Sequence, residues 1–285
     1  MKYQVIAHNA QDYPIKLMCQ TLEVSESGYY AWKRRPLSHR AQADQQIASH
    51  IQQAHQASHQ IYGSRRIQAE LAEQGVACSR KRVVRLMQQG IRARRRRRHT
   101  TTTDSQHSDP VAPNLLNREF SADAPNAKWV TDITGVWTAE GWLYVAVVLD
   151  LFSRLVVGWA MVAHRNAELV ELALHMALVR RHPEVGLLHH SDRGIQYTSG
   201  SYQALLTQRG IQVSMSGKGD CYDNAAMESF FSSLKGEWTD WHTYRTRQEA
   251  QLSIFEYIEV FYNRQRRHST LGYLSPVIYE QQCNG

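Results

Sequence analysis

The sequence predicts an α/β fold: a mixed sheet layered with helices, preceded by a separate all-α region. Three observations support this prediction. Apolar residues recur at helical spacing up to residue 98, strand-like runs begin after residue 126, and strand and helix patterns then alternate. The segment between these regions is rich in Thr, Ser, Asp and Pro, which is typical of a linker. We therefore predict four parts: a short helical segment (1–40), a helix-turn-helix region with a basic tail (41–98), the linker (99–125) and the α/β domain with a C-terminal helix (126–285).

The first region contains short helices in an arrangement suited to DNA binding. Helical patterns lie within 15–34, and a longer helix is predicted over 41–57. Ser64 begins a further helix that ends at Gly75, and Ser79 begins the next one. Two short helices joined by a glycine-containing connection form a helix-turn-helix pattern, whose second helix can enter the DNA major groove.

The formal net charge of +7 is concentrated in the N-terminal part of the chain. Residues 1–124 hold 19 Lys and Arg against 10 Asp and Glu, whereas residues 125–285 hold 14 against 16. No acidic residue lies between Glu73 and Asp104, so the basic residues there lack helical i, i+4 partners and are expected to contact DNA phosphates. A solvated helix face and a nuclear-localisation signal remain open alternatives. The predicted DNA-binding residues here are Arg80, Lys81, Arg82, Arg85, Arg94, Arg95, Arg96, Arg97 and Arg98.

Composition excludes several classes of protein. An apolar content of 42% and seven Trp suffice for a packed core, so wholesale disorder is excluded. No apolar run approaches the roughly 20 residues needed to span a bilayer. The four cysteines are scattered without a CxxC motif, so a disulfide framework is not expected. We expect an intracellular protein.

The α/β domain is predicted to begin with three antiparallel strands and to continue with alternating helices and strands. Strands are predicted over 129–138, 142–149, 154–162, 185–192 and 211–215. Helices are predicted over 166–181, 201–209, 223–237 and 246–262, and a mobile Gly-rich segment over 215–222.

Three acidic residues lie where two strands and one helix face could converge. Asp132 lies in the strand run WVTDITGVW, Asp192 ends a later strand, and Glu228 lies in a helix that Asp223 could cap. One pair of carboxylates at about 4 Å costs roughly 4 kcal/mol at an effective dielectric of 20, so protonation or divalent cations must relieve the repulsion. Mg²⁺ or Mn²⁺ suits oxygen ligands and zinc does not, and two such ions favour in-line displacement at phosphorus. Spacing alone leaves a turn role for Asp132 and a solvated position for Glu228 open.

Several motifs together resemble one family. They are YGSRRI, WVTDIT, LDLFSR, HHSDRGIQYTS, SMSGKGDCYDNAAMESFFSSLK and YNRQRRHSTLGYLSP. With them the chain resembles DDE-type transposases of the OrfB class from bacterial insertion sequences, to which retroviral integrases are more distantly related. The resemblance implies a ribonuclease-H-like polynucleotidyl transferase in which Asp132, Asp192 and Glu228 are catalytic and hold two Mg²⁺ or Mn²⁺ ions. It implies cleavage at the element's terminal repeats and joining of the freed 3′-hydroxyl to target DNA.

The resemblance also implies further contacts and partners. Lys235, two turns after Glu228 on the same helix face, would contact DNA beside the active site. A homo-multimer on DNA, an upstream-frame partner protein, and a cytoplasmic location at the nucleoid are implied. Gly135 replaces an aromatic residue of relatives, which we expect to weaken the strand locally. DNA contact and packing both remain open for a set that matches the terminal motif: Asn263, Arg264, Arg267 and His268.

A zinc site is not expected. His55 and His59 have i, i+4 spacing, but Cys78 has no nearby second cysteine, so both histidines are predicted to lie on the helix surface. His189 and His190 are consecutive in a strand and therefore face opposite sides of the sheet.

Two alternative functions remain open. One is a metal-dependent nuclease of the same fold without strand joining, and the other is a DNA-binding regulator with a silent catalytic domain.

Overall fold

The N-terminal segment forms a small helical unit with its own core. The computed structural model describes residues 2–36, 38–94, 112–217 and 221–283. Ile6, Cys19 and Tyr29 are buried against one another, and Ser25 caps the third helix by accepting a hydrogen bond from the Gly28 amide. The three helices are α1 (Lys2–His8), α2 (Ile15–Thr21) and α3 (Glu26–Arg34).

Three further helices confirm the predicted helix-turn-helix region. They are α4 (His39–Ala57), α5 (Ser64–Glu73) and α6 (Arg80–Met87). Ser79 caps α6 by accepting a hydrogen bond from the Arg82 amide, as its position predicts. Gly75 ends α5 with a φ of +76°, a backbone conformation that glycine adopts without a steric penalty. Ile51, Ile67 and Leu71 are fully buried between these helices.

The predicted mixed sheet is confirmed. Its strands are β1 (Lys128–Thr138), β2 (Gly141–Asp150), β3 (Val156–Val162), β4 (Leu188–Ser191) and β5 (Gln212–Met215). Their spatial order is β3-β2-β1-β4-β5, with β1, β2 and β3 antiparallel and with β4 and β5 parallel to β1. The ladder between β1 and β2 has no register shift at Gly135, where the Trp142 ring lies across the glycine.

Helices cover both faces of this sheet. On one face α7 (Ala167–Arg181) packs so closely on β3 that a Cβ on Gly158 would lie 2.2 Å from the Ala173 carbonyl oxygen. On the other face α10 (Ala225–Ser233) and α11 (Arg247–Phe255) share a core with the helix-turn-helix region. The other α-helices of the described residues are α8 (Ile195–Thr198), α9 (Gly200–Gln208) and α12 (Pro276–Cys283). Among the described helices, none has the length and apolarity to cross a membrane.

The two long helices predicted near the C-terminus occur in the expected places but change pitch. After α10 the chain continues as a π-helix over Leu234–Trp238, and after α11 it does so over Glu256–Tyr262. The Gly-rich segment predicted before α10 lies partly outside the described residues, at 218–220.

The helix-turn-helix region packs directly on the α/β domain, which corrects the prediction for two histidines. The His59 ring lies 4.8 Å from that of Trp238 and 5.4 Å from that of Phe261, both edge to face. His55 is buried, with its Nε2 atom 3.2 Å from the Arg92 carbonyl oxygen. The prediction that both lie on the helix surface was wrong. His59 lies beyond the end of α4 and is half-buried, and His55 lies on a buried face of α4 that helical spacing alone does not reveal.

The terminal motif is largely a packing element. Asn263 makes two hydrogen bonds to the backbone of Val156, both 3.0 Å long, and so completes the edge of β3. Arg267 forms ion pairs with Glu70 and Glu73 of α5. Packing therefore accounts for both residues. Asn263 holds two segments of the α/β domain together, and Arg267 attaches this domain to the helical region.

Candidate active site

The sheet brings Asp132 and Asp192 to neighbouring positions. Asp132 lies in the middle of β1, and Asp192 follows the last residue of β4. These two strands run parallel, and Val130 lies beside His190. Asp132 and Asp192 each follow two residues later, so they lie at neighbouring positions. Burial raises the pKa of Asp132 to about 8, and the charges of Asp192 and Glu228 add to this rise. Asp192 and Glu228 therefore both lie within electrostatic reach of Asp132.

Local hydrogen bonds hold the two aspartates. Asp132 Oδ1 accepts a hydrogen bond of 2.7 Å from the Ile133 amide, and Asp192 Oδ1 accepts one of 2.9 Å from the Gly194 amide. Glu228 is exposed on the first turn of α10. Among the residues that the structure describes, no three Asp, Glu, His or Cys side chains lie together in a group that could hold a metal ion. The two aspartates are thus neighbours on adjacent strands, and Glu228 acts on Asp132 through its charge.

Basic side chains lie beside this cluster. The exposed Arg165 side chain partly offsets the rise in the pKa of Asp132. Burial lowers the pKa of Lys235, and the charges of Asp240 and Asp132 partly offset that effect. The Lys235 ammonium group therefore senses the charge of Asp132. Lys235 lies in the π-helix rather than in α10, so the helix face that it shares with Glu228 stays a prediction.

The loop before α10 is fixed by Asp223 and Asn224 in a way that the sequence did not predict. The prediction that Asp223 caps the helix was wrong, because Asn224 holds the N-cap position and makes no side-chain cap bond. Asp223 instead accepts hydrogen bonds from the Gly217 amide (2.8 Å), Asn114 Nδ2 (2.9 Å) and Arg118 Nε (2.9 Å). Although burial alone would raise the pKa of Asp223, the Gly217 amide and Arg118 reverse this effect and lower it.

Asn224 links the same loop to the strand that carries Asp132. Its Nδ2 atom donates a hydrogen bond of 3.1 Å to the carbonyl oxygen of Thr131, the residue before Asp132. Asn224 also lies one helical turn before Glu228. This contact therefore sets the start of the glutamate-bearing helix against β1.

The predicted DNA-binding residues fall into three groups. Arg80 and Lys81 are exposed on α6. Arg82 and Arg85 have no acidic i, i+4 partner, as predicted, but both pair with Asp44 of α4, with N–O distances of 2.7 and 2.8 Å, so another helix supplies their counter-charge. The third group is the basic tail. Arg94 is its one predicted residue within the described part of the chain, and the others lie outside it: Arg95, Arg96, Arg97 and Arg98.

Arg94 is anchored to the α/β domain. It donates a hydrogen bond of 3.3 Å to the Glu237 carbonyl oxygen, and its guanidinium lies 5.4 Å from the centre of the Trp241 ring. The start of the basic tail is thus held between the two regions.

Comparison with known proteins identifies the class of this fold. The integrase core domain matches residues 122–221, a second integrase core description matches residues 209–276, and the HTH-like domain matches residues 42–99. Together with the strand order, this defines a ribonuclease-H-like integrase core preceded by a helix-turn-helix region.

Relatives of known name identify the family. The transposase InsF for insertion sequence IS3A of Escherichia coli K12 is 44% identical over 285 residues, which covers 99% of each chain. A 31 kDa protein of insertion element IS600 from Shigella sonnei is 47% identical over 266 residues, covering 93% of this chain and 98% of that protein. The chain belongs to the family of IS3-type insertion-sequence transposases.

Solved structures of retroviral integrases share limited similarity with this chain. The simian T-cell lymphotropic virus intasome, solved by electron cryomicroscopy, has 16% identity and a TM-score of 0.47, covering 81% of this chain and 74% of that one. The HTLV-2 integrase catalytic core in complex with magnesium has 15% identity and a TM-score of 0.42, covering 55% and 98%.

Proposed function

We propose that this transposase cleaves DNA strands at the ends of its insertion sequence and joins the freed 3′-hydroxyl to target DNA, as a DDE polynucleotidyl transferase that requires divalent ions. The observation that supports this most is the parallel register of β1 and β4, which brings Asp132 and Asp192 to neighbouring positions, and the charges of Asp192 and Glu228 both act on Asp132. Clustered acids with perturbed pKa values are typical of catalytic sites. Asp132, Asp192 and Glu228 are the proposed catalytic residues.

The donor set fits Mg²⁺ or Mn²⁺. All three side chains offer carboxylate oxygens, which hard cations prefer. Burial is the main cause of the raised pKa of Asp132, and a bound cation would relieve the repulsion that adds to it. Asp132, Asp192 and Glu228 would hold the ions. When bound, such ions activate the attacking oxygen and stabilise charge at phosphorus.

Neighbouring residues have supporting roles in this proposal. Lys235 would contact a DNA phosphate beside the acids, since its ammonium group already lies within reach of the charge of Asp132. Asn224 would keep Glu228 aligned with Asp132 through its hydrogen bond to Thr131.

DNA would be bound mainly by the helix-turn-helix region and the basic tail. Arg80 and Lys81 of α6 would contact phosphates, with Arg82 and Arg85 beside them and the run 95–98 extending the basic surface. Under this proposal the four parts of the chain are 1–40, 41–98, 99–125 and 126–285. We further propose homo-multimers on DNA, an upstream-frame partner protein and a cytoplasmic, nucleoid-associated location.

Incubation of the protein with pre-cleaved element ends and Mn²⁺ tests this function. Joined products are expected from the wild type and none from Asp192→Asn. Hydrolysis without joining would favour the nuclease alternative. DNA binding by both proteins, with neither cleavage nor joining, would favour the regulator alternative.

A further inference from the structure

A cavity lined by arginines lies between the helix-turn-helix region and the α/β domain. Its volume is about 390 Å³, within the roughly 300–1,000 Å³ of small-ligand sites. No acidic side chain lines it among the described residues. The polar side chains that matter for ligand binding are Arg66, Arg154, Arg266, Ser229, Ser233 and Thr270.

The positive charge around this cavity exceeds the nearby negative charge. Glu237, outside the lining, pairs with Arg66 at 3.1 Å and with Arg266 at 2.6 Å. Arg154 has no carboxylate within ion-pair distance among the described residues, and its one hydrogen bond goes to the Phe120 carbonyl oxygen at 2.8 Å. Three guanidinium groups therefore face one carboxylate within ion-pair distance, an excess of two positive charges before Asp150 is counted.

Asp150 removes part of this excess. It lies outside the cavity, but its charge acts on Arg154, and its neighbour Arg181, 3.7 Å away, already pairs with Glu280 at 2.8 Å. An excess of about one positive charge remains. The two oxygens of Asp150 accept hydrogen bonds from the amides of Asn126 and Phe152. Asp150 thus serves the bend after β2.

The charges of all three guanidinium groups act on His268, which also lines the cavity. Burial lowers the pKa of His268 well below its usual range, and the charges of Arg266, Arg66 and Arg154 lower it further. Arg266 Nη1 lies 3.1 Å from His268 Nε2, so a neutral imidazole can accept its hydrogen bond. The histidine therefore adds no positive charge.

The backbone of Arg154 has an uncommon conformation. Its φ of +61° lies in the left-handed region, which residues other than glycine rarely adopt. Such conformations concentrate at functional sites, where the surrounding structure holds them.

We propose that this cavity binds a phosphate group, held mainly by Arg154 and Arg66 and by the hydroxyl groups of Ser229 and Thr270. The planar fork of arginine matches phosphate oxygens, and a phosphate group, with about one negative charge as a diester or about −1.5 to −2 as a monoester, would offset the remaining excess. The group could belong to a DNA strand or be free phosphate. Since Arg66 lies on α5 and Arg154 follows β2, the bound group would join the helical region to the α/β domain.

Calorimetric titration of the full-length protein with inorganic phosphate, at an ionic strength held constant with chloride, tests this site. One saturable site is expected in the wild type. Arg154→Gln should weaken binding about tenfold to a hundredfold, because a charge-assisted contact is lost. The phosphate affinity of Arg154→Lys should lie between those of the wild type and Arg154→Gln, since lysine keeps the charge but lacks the planar fork of arginine.

Arg209→Gln is the matched control, because Arg209 is exposed and lies outside the cavity lining. Should Arg154→Gln fail to fold, Thr270→Val at the exposed rim should still weaken binding several-fold. Absence of saturable binding in the wild type, or equal affinity in the wild type and Arg154→Gln, would overturn the proposal.

Competition distinguishes the sources of the phosphate. Displacement by a 5′-phosphorylated oligonucleotide but not by its 5′-hydroxyl form indicates a terminal phosphate, displacement by both indicates the DNA backbone, and displacement by neither indicates free phosphate. Each result supports a phosphate site. The site does not depend on the proposed function: phosphate binding without strand joining would refute only the function, and joining without phosphate binding would refute only the site.

Discussion

Asp132 is the residue whose surroundings are least favourable for a carboxylate. Burial and the charges of Asp192 and Glu228 disfavour its ionised form. Asparagine keeps the size of the side chain and the oxygen that accepts the Ile133 amide, but it removes the charge. Comparing the wild type with Asp132→Asn therefore separates the effect of the Asp132 charge on catalysis from its effect on stability.

We predict that Asp132→Asn reduces strand cleavage by about 10³-fold or more and raises the melting temperature by a few degrees in EDTA. The first effect follows from the loss of an ion ligand and the second from relief of repulsion. A cleavage assay and a thermal denaturation curve measure them. Full activity in the variant would exclude Asp132 from the site, and a lower melting temperature would contradict the proposed repulsion.

Asn224 offers a second test at single-residue scale. Asn224→Ala leaves the buried Thr131 carbonyl oxygen without its partner, which costs about 1–3 kcal/mol, and frees the start of α10. Strand joining is expected to fall at least tenfold. Asn9→Ala is the control, because Asn9 Nδ2 donates a similar bond to the Val5 carbonyl oxygen at an exposed position. Equal activity in the two variants would show that Asn224 does not align the site.

Residue-level prediction from the sequence succeeded where the signal was local. Asp192 closes the apolar run that starts at Val185 and comes just before Arg193 and Gly194, so its place at a strand end was predictable. The partners of Arg82 and Arg118 were not predictable, because they lie 38 and 105 residues away. Arg82 pairs with Asp44 and Arg118 with Asp223, and the residues next to these two acids in the sequence do not indicate a distant basic partner.

At the scale of elements, the π-helix after α10 places a buried ion pair under the active-site helix. Glu237 lies in this π-helix and bonds to Arg266 at 2.6 Å through both of its oxygens. The sequence predicted a helix over 223–237 but not its change of pitch. Apolar spacing of three and four residues fits both an α-helix and a helix that widens for one turn.

We predict that Glu237→Gln lowers the free energy of unfolding by about 3–5 kcal/mol, because Arg266 would remain buried without a full counter-charge. Urea denaturation measures this. Glu184→Gln, at an exposed position, should change it by less than about 0.5 kcal/mol. Equal stability of both variants would show that the pair contributes little.

The same pair predicts how stability depends on pH. Although burial opposes it, Arg266 and Arg66 hold the pKa of Glu237 below its ordinary value of 4.5. The unfolded chain therefore takes up a proton first, and this stabilisation is present above pH 4.5 and is lost as the pH falls through the folded-state value. Wild-type stability should decline in this range, and Glu237→Gln should lack that part of the decline. An identical decline in both proteins would contradict this assignment.

For the whole molecule, the helical region and the α/β domain form one packed body rather than two domains on a free linker. Tyr62 accepts a hydrogen bond of 2.9 Å from the Arg267 amide and donates one of 3.1 Å to the Gln265 carbonyl oxygen. In the segment predicted as a linker, Leu116 is buried against the core. The fold class was predictable from periodicity, whereas this interface was not, because its residues are far apart in the sequence.

The orientation of α6 gives a prediction for DNA binding. Asp44→Asn removes the carboxylate that pairs with Arg82 and Arg85 and so frees two guanidinium groups. Non-specific affinity for duplex DNA should rise several-fold, with a steeper dependence on salt. Fluorescence anisotropy between 50 and 200 mM salt measures both quantities. Unchanged affinity and slope would show that this face of α6 does not meet DNA.

Binding of Mn²⁺ tests the central claim most directly, because the account requires the three acids to share ions. Electron paramagnetic resonance on the protein with element-end DNA should detect about two bound ions per chain. Asp192→Asn, with its fold verified by circular dichroism, should lose at least one of them. The same number of bound ions in both proteins would contradict the account.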